Sequence, residues 1–361
     1  MTGLHPSRGL HVLVVDDSAV VRQMVTSLLG NRPAWRITTA ADPLIALSKM
    51  ARERPDVILL DLQMPRMGGL EFLRRLMADD PIPVVVCSSY AQEGTREALE
   101  ALDLGAVDLL AKPQMGVRDF LIESAEVLAE TLRAASQARL RRKRTADPPT
   151  NLDERAARSR HTDAADWDEG ALLAIGASTG GPEALRLLLG ALPLDLPPLA
   201  IVQHMPPKFT AAFAERLDRD LPLAVREAEE GMVLEPGTVT IAAGGRHLEV
   251  ERRGHQYIAH LSEAPPVNRH RPSVDVLFTS VAHAAGRAGI GAILTGMGSD
   301  GALGLAAMRA AGAATFAQDE ASSIIFGMPK EAIAAGGVGE VVSIERMPWA
   351  LQAAARRRGR S

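Results

Sequence analysis

At 361 residues and a formal net charge of −4, the chain is long enough for two domains and too acidic for wholesale nucleic-acid binding. Hydrophobic residues make up 47% but aromatics only 3%, which calls for aliphatic cores of the α/β kind, and a single cysteine, Cys87, excludes an internal disulfide and fits a reducing compartment. No apolar run reaches transmembrane length, and the N-terminus lacks the charged-then-apolar pattern of a secretion signal. A cytoplasmic protein without membrane insertion is expected.

The first half alternates strand and helix patterns. HVLVVDD reads as a strand ending in carboxylates, and SAVVRQMVTSLL as an amphipathic helix capped by Ser18. A strand over 35–40 and a helix over 43–52 follow, then the apolar strand of DVILLDLQMP, ending at Asp61. A helix over 70–77, the strand PVVVCSS, a helix over 95–104, the strand VDLLAKP and a helix over 119–133 complete the series. Five β-α units in this span predict a five-stranded parallel sheet covered on both faces.

The composition then shifts. QARLRRKRTADPPTNLDERAARSRHTDAAD has almost no large apolar residues, many charges and a Pro-Pro pair, so residues 132–168 are expected to form a flexible charged linker. The domains on either side are assigned to 9–131 and 169–358.

In the second half, ALLAIGASTGGPEAL reads as strand, tight turn and helix, with Pro182 suited to the first turn of the helix. It contains the G-x-S-x-G string of a nucleophile elbow, centred on Ser178. The same string also fits a glycine turn that packs a helix on a sheet or binds phosphate. LAIVQHM is a strand ending at His204, and FTAAFAERLDRD a helix. From 223 to 260, short β segments with turn residues predict antiparallel hairpins at one edge. A helix at PSVDVLFTSVAHAAG, a strand at GIGAILTGM, a helix opened by Asp300, the strand ATFAQ, a helix, VGEVVSI and a last helix follow. This predicts a doubly wound α/β domain.

In an open parallel sheet the carboxyl ends of the strands meet in one crevice. In the first domain Asp16, Asp17, Asp61, Ser88 and Lys112 all fall at such ends. Converging carboxylates suit a hard divalent cation such as Mg²⁺, and the hydroxyl and ammonium suit a phosphoryl group on a carboxylate. On VVDDS, DLQMPRMGGLEFL, Ser88 and AKPQ, the segment resembles the response-regulator receiver family. The resemblance implies a flavodoxin-like domain phosphorylated on Asp61 by a chemosensory histidine kinase. Asp16, Asp17 and Asp61 would hold Mg²⁺, with Ser88 and Lys112 as switch residues.

In the second domain Ser178, His204 and Asp300 fall at three strand ends of one sheet. A serine attacking, a histidine taking its proton and an aspartate orienting the imidazole fill the roles of a hydrolytic triad. Taken singly, His204 also reads as a structural histidine and Asp300 as the cap of its own helix. AIGASTGGPEAL, QHM, FAERL, EPGTVTIA, GGRHL, RHRPSVDVLF and LTGMGSDGALG together resemble the chemotaxis protein-glutamate methylesterases of the CheB family. The resemblance implies Ser178 as nucleophile, His204 as base and Asp300 as third member. Thr179 lies beside the nucleophile, and the Met297 N–H is the expected oxyanion donor. It further implies methyl-ester hydrolysis on methyl-accepting chemotaxis receptors, deamidation of receptor glutamines, control by the receiver, and no cofactor for the esterase reaction. A paralogue in a non-flagellar pathway would carry the same motifs. A DNA-binding or scaffold response regulator is the rival class, but no basic recognition helix follows the linker and no nucleic-acid partner is expected.

Overall fold

The structure, a computed structural model, describes residues 9–32, 34–88, 92–112, 118–138, 167–168 and 170–356, with backbone alone at 92–94 and 118–124. The chain divides into two compact units, residues 1–142 and 143–361. The segment 139–166, which holds most of the expected linker, lies outside the described residues.

In the first unit the strands are β1 (Leu10–Val15), β2 (Trp35–Ala40), β3 (Val57–Leu60), β4 (Val84–Ser88) and β5 (Asp108–Ala111). The helices are α1 (Ala19–Gly30), α2 (Pro43–Met50), α3 (Gly69–Asp79), α4 (Gln92–Asp103) and α5 (Arg118–Ser136). The strands form one parallel sheet in the order β2-β1-β3-β4-β5, the flavodoxin-like arrangement. β3 and β4 are buried throughout because helices cover both faces. Ser18 caps α1 as expected, its Oγ accepting from Val21 N at 3.4 Å. Asp42 does the same for α2, accepting from Ile45 N at 2.9 Å. Helix α5 runs on to Ser136, beyond residue 132 where the sequence pattern starts the linker; Leu132, Ala134 and Ala135 are buried and keep that turn on the sheet.

The second unit contains β6 (Leu172–Ala177), α6 (Gly181–Gly190), β7 (Leu199–Gln203), α7 (Phe209–Asp220), β8 (Ala224–Glu227), β9 (Val233–Leu234), β10 (Thr238–Ile241), β11 (His247–Arg253) and β12 (Gln256–Ser262). Then come α8 (Val274–Ala285), β13 (Gly289–Ile293), α9 (Ala302–Ala310), β14 (Ala314–Gln318), α10 (Met328–Ala334), β15 (Glu340–Val342) and α11 (Met347–Ala355). Seven strands form a parallel sheet in the order β15-β14-β13-β6-β7-β10-β8. The antiparallel hairpin expected between 223 and 260 is β11–β12, which with β9 makes a separate three-stranded sheet. β8 and β10, from the same stretch, instead join the main sheet as parallel strands.

The chain winds outward from β6 through β7, then returns to place β13 on β6's other side, so the strand order reverses between β6 and β13. Ligand sites of open α/β sheets lie at such a reversal, outside the carboxyl ends. The aliphatic core is continuous there: Leu172, Ala174 and Val202 of the sheet meet Leu248 and Leu261 of the small sheet, Val274 and Phe278 of α8, and Leu305 of α9.

Gly176 makes this possible, because a Cβ there would lie 2.2 Å from Cγ1 of Val274. The missing side chain lets the first residue of α8 rest on β6. Gly176→Ala is therefore expected to lower unfolding stability by about 1–3 kcal/mol through overpacking. Val274→Ala in the same chain should recover part of that loss, as chemical denaturation of both variants would measure.

Candidate functional site

β6 ends at Ala177 and α6 begins at Gly181, leaving Ser178, Thr179 and Gly180 to reverse the chain. Gly180 is left-handed, with φ 76°, which the turn requires and a side chain disfavours. Gly181 N donates to Ser178 O at 2.7 Å and closes the turn. Ser178 is thereby held at the tip of the strand and ahead of the positive end of α6. In the β6–β7 register Ala177 pairs with Gln203, so Ser178 and His204 are the next residues on adjacent strands. His204 N donates to Ala177 O at 3.0 Å, and Gln203 Nε2 donates to the carbonyls of Ser178 and His204 at 3.0 and 3.1 Å. On its other flank, Ser178 N donates to Thr295 O, just past β13, at 3.0 Å. The structure thus brings the elbow between the two strands on which His204 and Asp300 depend.

His204 Nε2 lies 2.8 Å from Asp300 Oδ2, and both side chains are buried. A carboxylate is an acceptor only, so Nε2 carries the proton and Nδ1 the free lone pair. Nδ1 is buried and has no hydrogen-bond partner among the described residues. An imidazole in this tautomer is ready to receive a proton from a hydroxyl.

Asp300 does not cap its own helix. The cap of α9 is Gly301, and the Asp300 carboxylate turns to the start of α8 instead. It accepts from Val274 N at 2.7 Å, Asp275 N at 3.3 Å, Ser273 Oγ at 2.7 Å and Asn268 Nδ2 at 3.0 Å, besides His204. Burial by itself pushes this carboxyl upward, but the hydrogen bonds and charge of His204, with those of Asn268 and Ser273, outweigh it and hold the group well below the usual carboxylate range.

Thr179 is buried, and its carbonyl accepts from Thr295 Oγ1 at 3.0 Å; Ile325 N donates to the same Oγ1 at 3.0 Å. Met297 follows Gly296, where a Cβ would lie 2.8 Å from Ser178 Cβ. The backbone carrying the Met297 N–H therefore passes directly against the serine. Sequence reasoning left Gln203, Asn268, His270 and Thr295 without roles. Gln203, His270 and Thr295 lie within strings the resemblance rests on, QHM, RHRPSVDVLF and LTGMGSDGALG; Asn268 lies just outside them. The His270 ring is the one that meets the imidazole of His204, stacked on it with centroids 3.8 Å apart and planes within 6°. A ring nitrogen of each histidine and an Asp300 oxygen lie within 4.8 Å of one another, but with parallel rings the nitrogen lone pairs run side by side instead of converging, which suits stacking and not a shared cation.

In the first unit, carboxylate oxygens of Asp16, Asp17 and Asp61 lie within 4.8 Å of one another. Lys112 Nζ is 3.0 Å from Asp16 Oδ2 and 2.8 Å from Asp61 Oδ2. Burial raises the Asp61 carboxyl above its ordinary value, against the pull of Lys112, while the Asp61 and Asp16 contacts raise the Lys112 ammonium despite its burial. A crowded set of hard oxygen donors that one lysine only partly neutralises fits a divalent cation. Ser88 ends β4 at the same edge and is buried.

Residues 173–351 match the CheB methylesterase family, and residues 12–121 match the response regulator receiver domain. The chain is 52% identical to protein-glutamate methylesterase/protein-glutamine glutaminase 1 of Anaeromyxobacter dehalogenans, over 96% of this chain and 99% of that one. The chain belongs to the CheB methylesterase family. It is also 48% identical to the protein-glutamate methylesterase/protein-glutamine glutaminase of Pectobacterium atrosepticum, over 94% and 95% of the two chains. The crystal structure of the Thermotoga maritima CheB methylesterase catalytic domain aligns with a TM-score of 0.50 at 37% identity, covering 52% of this chain and 99% of that domain. The arrangement of a receiver followed by a CheB methylesterase domain is that of the family, and it sets aside the DNA-binding alternative.

Two outcomes follow from the electrostatics. Asp300→Ala should lower stability by about 3–5 kcal/mol at neutral pH, since it strands His204, Ser273 and the first N–H groups of α8. Because the folded pKa of Asp300 is depressed, its contribution is fully present above the ordinary carboxylate value of about 4 and is lost as pH falls through the lower folded value. The stability gap between wild type and variant, from denaturant unfolding, should therefore narrow only below about pH 4. Cys87, buried in β4, has its thiol pushed up to about 12 by burial. Native protein should resist thiol alkylation at pH 8 and react once unfolded.

Proposed function

We propose that this chain is a phosphorylation-activated protein-glutamate methylesterase and protein-glutamine glutaminase acting on methyl-accepting chemotaxis receptors. The observation that carries the reading is the Nε2-protonated His204 on buried Asp300, with its free Nδ1, on the strand beside Ser178. The identity of about half to two full-length methylesterase/glutaminases supports it.

In this reading Ser178 Oγ attacks the γ-carbonyl of a glutamyl methyl ester while His204 Nδ1 takes the serine proton. Asp300 stabilises the imidazolium that forms. The oxyanion is received by the Met297 N–H, and Thr179 supports the turn beside it. The tetrahedral species collapses to a glutamyl ester on Ser178, and His204 returns the proton to the departing methoxide, releasing methanol. Water activated by the same imidazole then cleaves the acyl-enzyme to glutamate. A glutamine side chain follows the same path with ammonia as the leaving group. Amide nitrogen leaves less readily, so deamidation is the slower of the two reactions.

The receiver supplies control. Asp61 accepts the phosphoryl group from a chemosensory histidine kinase; Asp16, Asp17 and Asp61 would hold Mg²⁺, which would supply countercharge for the phosphoryl oxygens. Lys112 and Ser88 bind those oxygens once the group is on Asp61. The esterase chemistry in this reading draws on no cofactor. A cytoplasmic location belongs to the reading; among the described residues no helix is long and apolar enough to cross a membrane.

The test is methanol release from methylated receptor membranes, with and without a small phosphodonor and Mg²⁺. Wild type should respond to the phosphodonor, and Asp61→Asn should be folded and indifferent to it. Ser178→Ala should lose both methanol release and glutamine deamidation. Retention of either activity at the wild-type rate would remove Ser178 as the nucleophile of that reaction.

A further inference from the structure

Between the small sheet and α8 the chain makes a two-residue turn that belongs to neither. Val267 N donates to His270 O at 3.1 Å and His270 N to Val267 O at 2.9 Å. Both residues between them are left-handed, Asn268 at φ 50° and Arg269 at φ 65°. This is the I′ pattern, which usually recruits glycine, and neither residue is one. Asparagine tolerates the region; arginine is disfavoured there. The turn is not required by the core, since Val267 is 37% exposed. It is nevertheless tied down below the tip, where Arg271 Nη1 donates to the carbonyls of Glu263 and Ala264 at 2.9 and 3.1 Å.

What the turn delivers lies at the candidate site. Asn268 Nδ2 donates to Asp300 Oδ1 at 3.0 Å and to Asp275 Oδ2 at 2.7 Å, so both amide hydrogens are used to bridge two buried carboxylates. His270, one turn residue further, lays its ring flat on His204. We infer that the turn Val267–His270 is a positioning element for the proposed reaction, Asn268 fixing the Asp300 carboxylate and His270 fixing the plane of the His204 ring.

The inference rests on the esterase reading above. A single hydrogen bond from Nε2 leaves the imidazole free to swing about that bond, and a flat neighbour removes the freedom. The neighbour must also tolerate the charge that arrives when His204 becomes an imidazolium. Burial, and then the proximity of His204, push the His270 imidazole down to about 3, so it stays uncharged at neutral pH and does not repel its partner. The other charged groups acting on His270 are Asp300 and Arg269, while Asp275 acts on Asp300 from the far side of Asn268.

The experiment uses the full chain, activated by a small phosphodonor and Mg²⁺, and a peptide carrying a glutamate γ-methyl ester as probe, followed by methanol release. His270→Ala should lower kcat about tenfold or more with KM nearly unchanged, because the ring is mispositioned and binding is not. His270→Phe keeps a flat uncharged face and should recover most of the loss. Asn268→Gly suits the left-handed backbone, deletes only the amide, and should also lower kcat about tenfold. Asn268→Asp adds a carboxylate beside the pair, favours the imidazolium, and should move the acid limb of the kcat/KM profile up by about one pH unit. If the variants melt at lower temperature yet keep the wild-type kcat and pH profile, the turn is a structural part only and the proposal fails. Phenylalanine no better than alanine at 270 overturns the stacking role. A wild-type chain that releases no methanol removes the esterase reading itself, and this one with it.

Discussion

The catalytic unit depends on keeping one carboxylate ionised where water cannot reach it. Asp300 is 1% exposed, and an isolated charge at such a depth is strongly disfavoured. The donors that make it tolerable come from four places in the chain: His204 after β7, Asn268 in the turn, Ser273 before α8, and the first N–H groups of α8. Those N–H groups need an acceptor as much as the carboxylate needs donors, because the first turn of a helix leaves them without partners. Ser273, the residue in cap position, makes no side-chain cap bond. Asp300 takes over the cap from another segment, and the helix dipole then favours its charge. Helix anchoring and imidazole orientation are thus one interaction, and removing either partner exposes the other.

The receiver meets the same difficulty with a different solution. Its carboxylates have one lysine between them, and the Asp61 carboxyl sits above its ordinary value. Asp300 is fully satisfied by fixed donors and so suited to a constant role. Asp61 is left short of positive charge and so suited to a group that arrives with a cation and leaves again. Asp61, directly after β3, and Asp300, in the loop after β13, differ in behaviour because of what surrounds them.

Strand ends were the most legible part of this chain. Uninterrupted aliphatic runs stopping at Asp16, Asp61, Ser178 and His204 mark buried parallel strands and their crevices without any knowledge of tertiary contacts. Asp300 was legible as a candidate, but its partners were not. It sits one residue before Gly301 and so reads as a local cap, whereas its acceptors serve a helix made about twenty-five residues earlier, which no local pattern encodes. The turn at Asn268 and Arg269 was invisible for a related reason: an I′ turn is normally announced by glycine, and here it is imposed by what the turn has to reach. β8 and β10 were misassigned to hairpins because four-residue strands of mixed burial look alike whether they pair in parallel or antiparallel fashion. Which neighbour they find is decided by the sheet, not by the strands.

The strand order also governs when the site comes into being. β6 carries the serine and pairs with β13 only across the intervening residues 178–288, and Thr295 then leans on Gln318 at the end of β14. Contacts this distant in sequence form late, since a long loop must close before they reward the closure. During synthesis Ser178 and His204 therefore emerge well before Asp300, the hydrogen-bond partner of His204. Asp300 follows His204 by 96 residues, so a chain ending between them carries Ser178 and His204 without the carboxylate that holds the imidazole. The receiver precedes all three residues in the chain, so it is synthesised before the site can be assembled.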